Sequence, residues 1–109
     1  MLLNCLIDCD EILSLPFSVE VCGPETFYSL QEKIKKKYKQ QLKKLDALDL
    51  LLWKIEVPSK EYRTCHDNFK QLDKRRMLPI DEICEIFAEE PRKKHIHILV
   101  EISQKCTNR

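Results

Sequence analysis

At 109 residues the chain has room for one domain and no second, since domains run to roughly 100–200 residues. Its 43% apolar and 34% charged residues, with a single glycine and five prolines, suit a compact globular fold and exclude the disordered, collagen-like and low-complexity classes. Nineteen Lys and Arg against 18 Asp and Glu leave a net charge of +1, so the overall field selects neither nucleic acid nor an anionic membrane as the main partner.

No stretch reaches the ~20 apolar residues of a membrane-spanning helix. Met1 to Asp8 offers only a short apolar run, where a secretory signal needs a basic start, a longer apolar region and a small-residue cleavage site. An exported form of this sequence would therefore use an unconventional signal or one not evident here.

The apolar run from Leu2 ends in the acidic group Asp8, Asp10 and Glu11 and reads as a strand entering a turn. Phe17 to Cys22 alternates apolar and polar residues. The two runs predict an antiparallel hairpin whose register follows Phe17, Val19 and Val21 and which Gly23-Pro24 closes. Thr26 is placed to cap a helix, its hydroxyl accepting from a first-turn N–H. Phe27, Leu30, Ile34 and Tyr38 then recur as one apolar stripe, the spacing of an amphipathic helix. Leu42, Leu45 and Leu48 leave open whether that helix extends or restarts. Leu50 to Val57 is the most strand-like run, stopped by Pro58, which cannot donate to a ladder. Ser59 to Arg76 is polar and reads as a long loop with at most one short strand, anchored by Tyr62 and Phe69. Ile80, Ile83 and Phe87 predict a short helix within Pro79 to Ala88, the proline near its start. His95 to Ile102 is a last strand with Ile96, Ile98, Val100 and Ile102 on one face. This order gives an α+β fold with one sheet and one main helix.

Six cysteines, Cys5, Cys9, Cys22, Cys65, Cys84 and Cys106, are an even number, which in a small secreted chain suits a disulfide framework. Their spacing is irregular and most lie in apolar runs, where free cysteine packs as a small hydrophobe. Reduced structural cysteines are expected.

Leu3-Asn4-Cys5-Leu6-Ile7-Asp8 with Phe17-Ser18-Val19, Leu30-Gln31-Glu32-Lys33-Ile34-Lys35, and above all Leu50-Leu51-Leu52-Trp53-Lys54-Ile55-Glu56-Val57-Pro58 form an ordered set. Met77 to Phe87 and Ile96 to Val100 complete it, so that it spans Leu2 to about Ile102. The set resembles the N-terminal header of the Crinkler effectors, secreted or translocated proteins of oomycetes and some fungi whose headers look like ubiquitin. The run Leu50, Leu51, Leu52, Trp53, Lys54 stands where oomycete members carry Leu-Phe-Leu-Ala-Lys and fungal members a Leu-Trp-Arg/Lys form. It is thus similar to a translocation motif of the fungal type, with Trp53 in place of the oomycete alanine.

The resemblance implies a ubiquitin-like β-grasp, a mixed sheet crossed by one long helix with a short second helix and with the last strand beside the first. It further implies a domain over residues 1–103 followed by a tail at 104–109. Crinklers usually attach variable C-terminal domains that carry toxicity or nucleic-acid chemistry and act in the host nucleus. Nothing of that kind is expected within these 109 residues, whether they are cut from a longer effector or naturally short. The resemblance therefore implies a non-enzymatic trafficking or interaction header.

Candidate chemistry is sparse. His95 and His97 alternate on one strand and can address one metal, with Cys65-His66 or Cys5-x₃-Cys9 as further ligands, but the paired spacings of a structural zinc site are missing. Cys65 beside His66 has no glycine-shaped oxyanion turn to make a nucleophile of it. A single glycine, Gly23, excludes a glycine-rich phosphate cradle. Lys33, Lys35, Lys36, Lys37, Lys39, Lys43 and Lys44 suit either an acidic partner or a solvated helix face, and the second is expected. Lys74-Arg75-Arg76 and Arg92-Lys93-Lys94 are too short to read as nuclear localisation signals. No catalytic residue, metal, cofactor or small-molecule substrate is expected.

A sheet crossed by one helix leaves its other face bare. In Leu50 to Val57 one side holds Leu50 and Leu52 and the other Leu51, Trp53, Ile55 and Val57, so apolar surface remains outside whichever side meets the helix. Ubiquitin recognises partners with that face, and the resemblance places His97 and Leu99 at the matching positions. The predicted interaction site is therefore His97 and Leu99, for a host protein, a translocation factor or a second copy, unless Ser59 to Arg76 folds over it. The rival readings are an intracellular ubiquitin-like adaptor unrelated to effectors and a small metal or redox protein built on the cysteines. A conjugated modifier is not expected, because Cys106-Thr107-Asn108-Arg109 lacks a Gly-Gly tail.

Overall fold

The computed structural model describes residues 1–8 and 15–102, the side chain of His66 excepted. The turn residues Cys9, Asp10 and Glu11, Cys106 and the tail at 104–109 lie outside the described residues.

Strand β1 (Leu2–Asp8) pairs antiparallel with β2 (Phe17–Glu20), with Leu3 opposite Val19 and Cys5 opposite Phe17. The period-two alternation puts Leu3, Cys5, Ile7 and Val19 into one core. The ladder ends at Glu20, two residues short of the expected Cys22. Helix α1 (Phe27–Lys37) follows, its first turn capped by Thr26, whose hydroxyl accepts from the Ser29 N–H at 3.4 Å. Phe27, Leu30 and Ile34 are completely buried.

The helix does not extend through Leu42. Tyr38 leaves the helical conformation and turns its ring edge-on to Phe17, 5.0 Å between centroids, while Lys35, Lys36 and Lys37 sit at the negative end of the helix dipole. Leu42 returns to the core after a turn. A 3-10 turn at Ala47–Asp49, held by reciprocal Asp46 and Asp49 side chains, then feeds the next strand.

Strand β3 (Leu50–Pro58) lies between β4 (Arg75–Met77) and β5 (His95–Ile102), antiparallel to both, and β5 runs parallel to β1. The sheet has five strands in the order β2-β1-β5-β3-β4, with α1 across one face. This mixed order with the first and last strands parallel is the β-grasp.

Between β3 and β4 the chain is more ordered than the loop its polarity predicts. A 3-10 turn at Ser59–Glu61, helix α2 (Tyr62–Asp67) and a second 3-10 turn at Phe69–Gln71 occupy it. Helix α3 (Ile83–Ile86) is capped by Glu82 and Glu85 rather than opened by Pro79. Pro79 sits in the preceding turn, where its carbonyl accepts from the Tyr28 N–H at 3.0 Å. Two further bonds, Phe27 N–H to the Asp81 carbonyl at 2.9 Å and Ile83 N–H to the Glu25 carbonyl at 2.8 Å, lash α3 to the start of α1.

Candidate interaction surface

In β3 the alternation resolves as follows. Leu50 and Leu52 enter the core under α1, while Ile55 and Val57 enter a second core on the opposite face, joined by Leu6, Cys65, Ile96 and Leu99. That second core is roofed by the segment from Ser59 to Leu72, with Tyr62, Phe69 and Leu72 packed against it and Trp53 at its margin. The outer face of the sheet is therefore covered.

This corrects the expected site. Leu99 is 0% exposed and His97 4%, so neither lies on an open surface. The reason is hydrophobic: a face carrying Leu6, Ile55, Val57, Ile96 and Leu99 is worth covering at about 25 cal/mol per Å² buried, and the chain between β3 and β4 supplies the cover. The signal was in the sequence. Tyr62, Cys65, Phe69 and Leu72 recur at spacings of three, four and three, a helical stripe inside a polar segment.

The four isoleucine and valine positions of β5 do not share one face either. Ile98, Val100 and Ile102 lie under α1, whereas Ile96 packs with Leu99 on the covered side. The pairing of β3 with β5 shifts register between Lys54 and Val57, and a slip of one residue re-aims the side chains beyond it.

The run Leu50 to Lys54 is thus built into the fold rather than displayed. Leu50 and Leu52 are core residues. Lys54 lies along the α1 side, its ammonium donating to the Ile86 carbonyl at 3.3 Å and standing 5.1 Å from the centre of the Phe87 ring. Trp53, half-buried on the covered side, donates its indole N–H to the Glu101 carboxylate at 3.0 Å. Above it Lys74 bridges two rings, 4.4 Å from the Phe69 centroid and 5.3 Å from that of Trp53, while donating to the Phe69 carbonyl at 2.7 Å. Arg76 stands 5.8 Å from the same indole. This basic and aromatic rim fastens the cover to β3.

The histidines point to separate partners. His97 accepts the Asn4 N–H at Nδ1 and faces the Arg92 carbonyl with Nε2, while His95 Nδ1 faces the Lys93 carbonyl. Among the described residues no group of three His, Cys, Asp or Glu side chains is placed to hold a metal ion. Burial pushes the Cys65 thiol up to about 11, with Asp8 adding to it, which is the reverse of an activated nucleophile. Of the lysines in and after α1, Lys33 pairs with Glu25 at 2.9 Å and Lys37 stands over Phe17, and Lys36, Lys39, Lys43 and Lys44 are exposed. Between β3 and the segment 86–92 lies a cleft of about 430 Å³ lined by Lys54, Glu56, Phe87, Arg92 and His97 among others. Arg92 and Glu56 form an ion pair at its rim, 3.3 Å apart.

Fold and surface define a β-grasp domain whose sheet is closed on both faces and whose motif-like run forms part of its third strand. The chain belongs to the family of Crinkler effector protein N-terminal domains, which it matches over residues 1–101. It is 30% identical over 99 residues to Crinkler effector protein 1 of the fungus Rhizophagus irregularis, an alignment that covers 91% of this chain and 21% of that relative. The chain thus spans about a fifth of the length of the curated relative it matches. No solved structure matches it.

Proposed function

We propose that the domain is a non-enzymatic, ubiquitin-like protein-interaction and trafficking header of a secreted or translocated effector. The observation that carries this reading is the match itself. Almost the whole of this chain aligns with one fifth of a longer effector, so what the two share is a self-contained fold with its own two cores. Transport and recognition are the tasks such a shared part can serve when the remaining chain differs. Its partner is a protein, either a host or translocation factor or a second copy. Contact is made with the closed domain, through the outside of the cover and the rim of Trp53, Lys74 and Arg76, since Leu99 is reached only if the cover lifts. The host cell, including its nucleus, is the destination.

The test is a fluorescent reporter fused behind residues 1–109 and followed into host cells. Three fusions are compared: the intact domain, the domain with Ile98→Asp to break the core, and the bare run Leu50 to Lys54. Relocation by the intact domain alone is expected. An intact fusion distributed like free reporter would refute the trafficking role, and transport by the five-residue run would refute the need for the fold. Light scattering across concentration identifies the partner class: a species of twice the 13.0 kDa chain that survives reductant is a self-assembly, and a monomer points to a foreign protein.

A further inference from the structure

Among the described residues the buried polar side chains are Gln31 and His97. His97 sits where β1, β3, β5 and the segment leading into β5 meet. The Asn4 N–H donates to its Nδ1 at 2.9 Å. A ring nitrogen that accepts carries no hydrogen, so in the neutral ring the hydrogen is on Nε2, which donates to the Arg92 carbonyl at 2.6 Å. The two bonds together fix the tautomer. Phe87 packs edge-on to the ring at 6.4 Å between centroids.

A second proton has only Nδ1 to occupy, where it would point at the Asn4 N–H. Two donors would then face each other across a hydrogen-bond distance at a nearly buried ring, and the Asn4 amide would lose its acceptor. The surrounding charges do not rescue that state. From β3 come Lys54 and Glu56, the latter already paired with Arg92. The segment after α3 contributes Glu89, Glu90 and Arg92 around the same cleft, and β5 contributes His95. Burial, followed by His95, holds the His97 imidazolium back, against the opposing pull of the Arg92 carbonyl and Glu56. Asn4 is itself a junction, since its side chain donates to the His95 carbonyl at 2.7 Å and accepts from the Ser18 hydroxyl at 2.7 Å. Loss at Asn4 therefore reaches β2 and β5.

We propose that His97 is an acid-sensitive latch that, while neutral, pins β1 to β5 through the Asn4 amide, and that on protonation releases β1 there while its Nε2–H stays on the Arg92 carbonyl. The sign follows from linkage. The folded-state value lies below the unfolded one, so the stability is fully present above about pH 6.5 and is lost as pH falls through the folded value, tenfold in the folding constant per unit between the two.

The test is imidazole ¹⁵N NMR with amide hydrogen exchange from pH 7.5 to 4.5, exchange being corrected for its intrinsic pH dependence. The expected result is an Nε2–H tautomer titrating below about 6.5, with protection at Asn4 falling at least tenfold as His97 charges while that across 87–94 is kept. His95→Gln should leave this fall in place and His97→Gln, whose amide both donates and accepts, should abolish it. An Nδ1–H tautomer, titration at or above 6.5, or protection at Asn4 unchanged while His97 charges overturns the proposal. If His97→Gln does not fold, the wild-type titration decides alone.

Discussion

Leu99→Ala probes the covered face most directly. Leu99 is completely buried between the sheet and the cover, against Leu6, Cys65 and Ile96. The substitution removes three carbon groups, about 2.4 kcal/mol at ~0.8 kcal/mol each. The cavity left behind adds to this unless the cover collapses onto it, so the total is about 3 kcal/mol, within the 2–5 kcal/mol range of buried Leu→Ala changes. Against a stability of about 5–15 kcal/mol for a small domain that is a large share, and Tm should fall by about 10 °C or more. The assay is urea unfolding followed by fluorescence of the single tryptophan, Trp53, which borders the same core. An open outer face predicts a different outcome, a change within about 0.5 kcal/mol as for ordinary surface sites. A Leu99→Ala loss below 1 kcal/mol with unaltered urea dependence refutes the closed cover. Leu99→Asp, which an exposed site would tolerate, should prevent folding.

Glu25 accepts from the Ser29 hydroxyl and the Cys22 N–H and pairs with Lys33, which together hold its carboxyl down to about 2. Its folded value lies below the unfolded one, so its contribution is present above about pH 4.5 and lost as pH falls through about 2; Glu25→Gln should lower the urea midpoint at pH 7 and flatten its fall across that acid window. Lys54→Met keeps the aliphatic stem but strips the Ile86 carbonyl and the Phe87 face of their cation, which should cost about 1 kcal/mol and speed amide exchange in α3 by native-state measurement. Lys94 holds a left-handed backbone, φ 61°, so Lys94→Gly should raise stability by up to about 1 kcal/mol in the same urea assay.

The helix and the strands were legible because their signals are local. Thr26 and the Phe27, Leu30, Ile34 stripe need only one turn of context, and the alternation in β1 and β5 needs only the pleat. The cover stood in the sequence only as the alternative to an open face, with Tyr62 and Phe69 as anchors, because Tyr62, Cys65, Phe69 and Leu72 are diluted among charged residues, and only the apolar surface they meet turns a weak stripe into a roof. The position of Ile96 was beyond reach for a different reason: a register shift is a property of two paired strands, β3 and β5 together, and neither alone carries its signal. The roles of Lys54 and His97 depend on Ile86, Phe87 and Arg92, residues whose sequence positions carry no mark of that proximity.

Parallel pairing of β1 with β5, from Cys5 opposite Ile98 to Asp8 opposite Glu101, has a mechanical consequence. Leu2 and Ile102 sit at opposite ends of this ladder, so tension applied between them slides the strands lengthwise and loads the rungs together. Tension across β3 and β4, joined antiparallel over Leu52 to Lys54, would instead peel rungs singly when applied at one end. Resistance to forced unfolding is governed by the rate of crossing the barrier rather than by equilibrium stability. A machine that drags this domain through a narrow opening by a terminal strand thus meets the stiffest part of the fold first, and its progress depends on whether the load arrives as shear or as peeling.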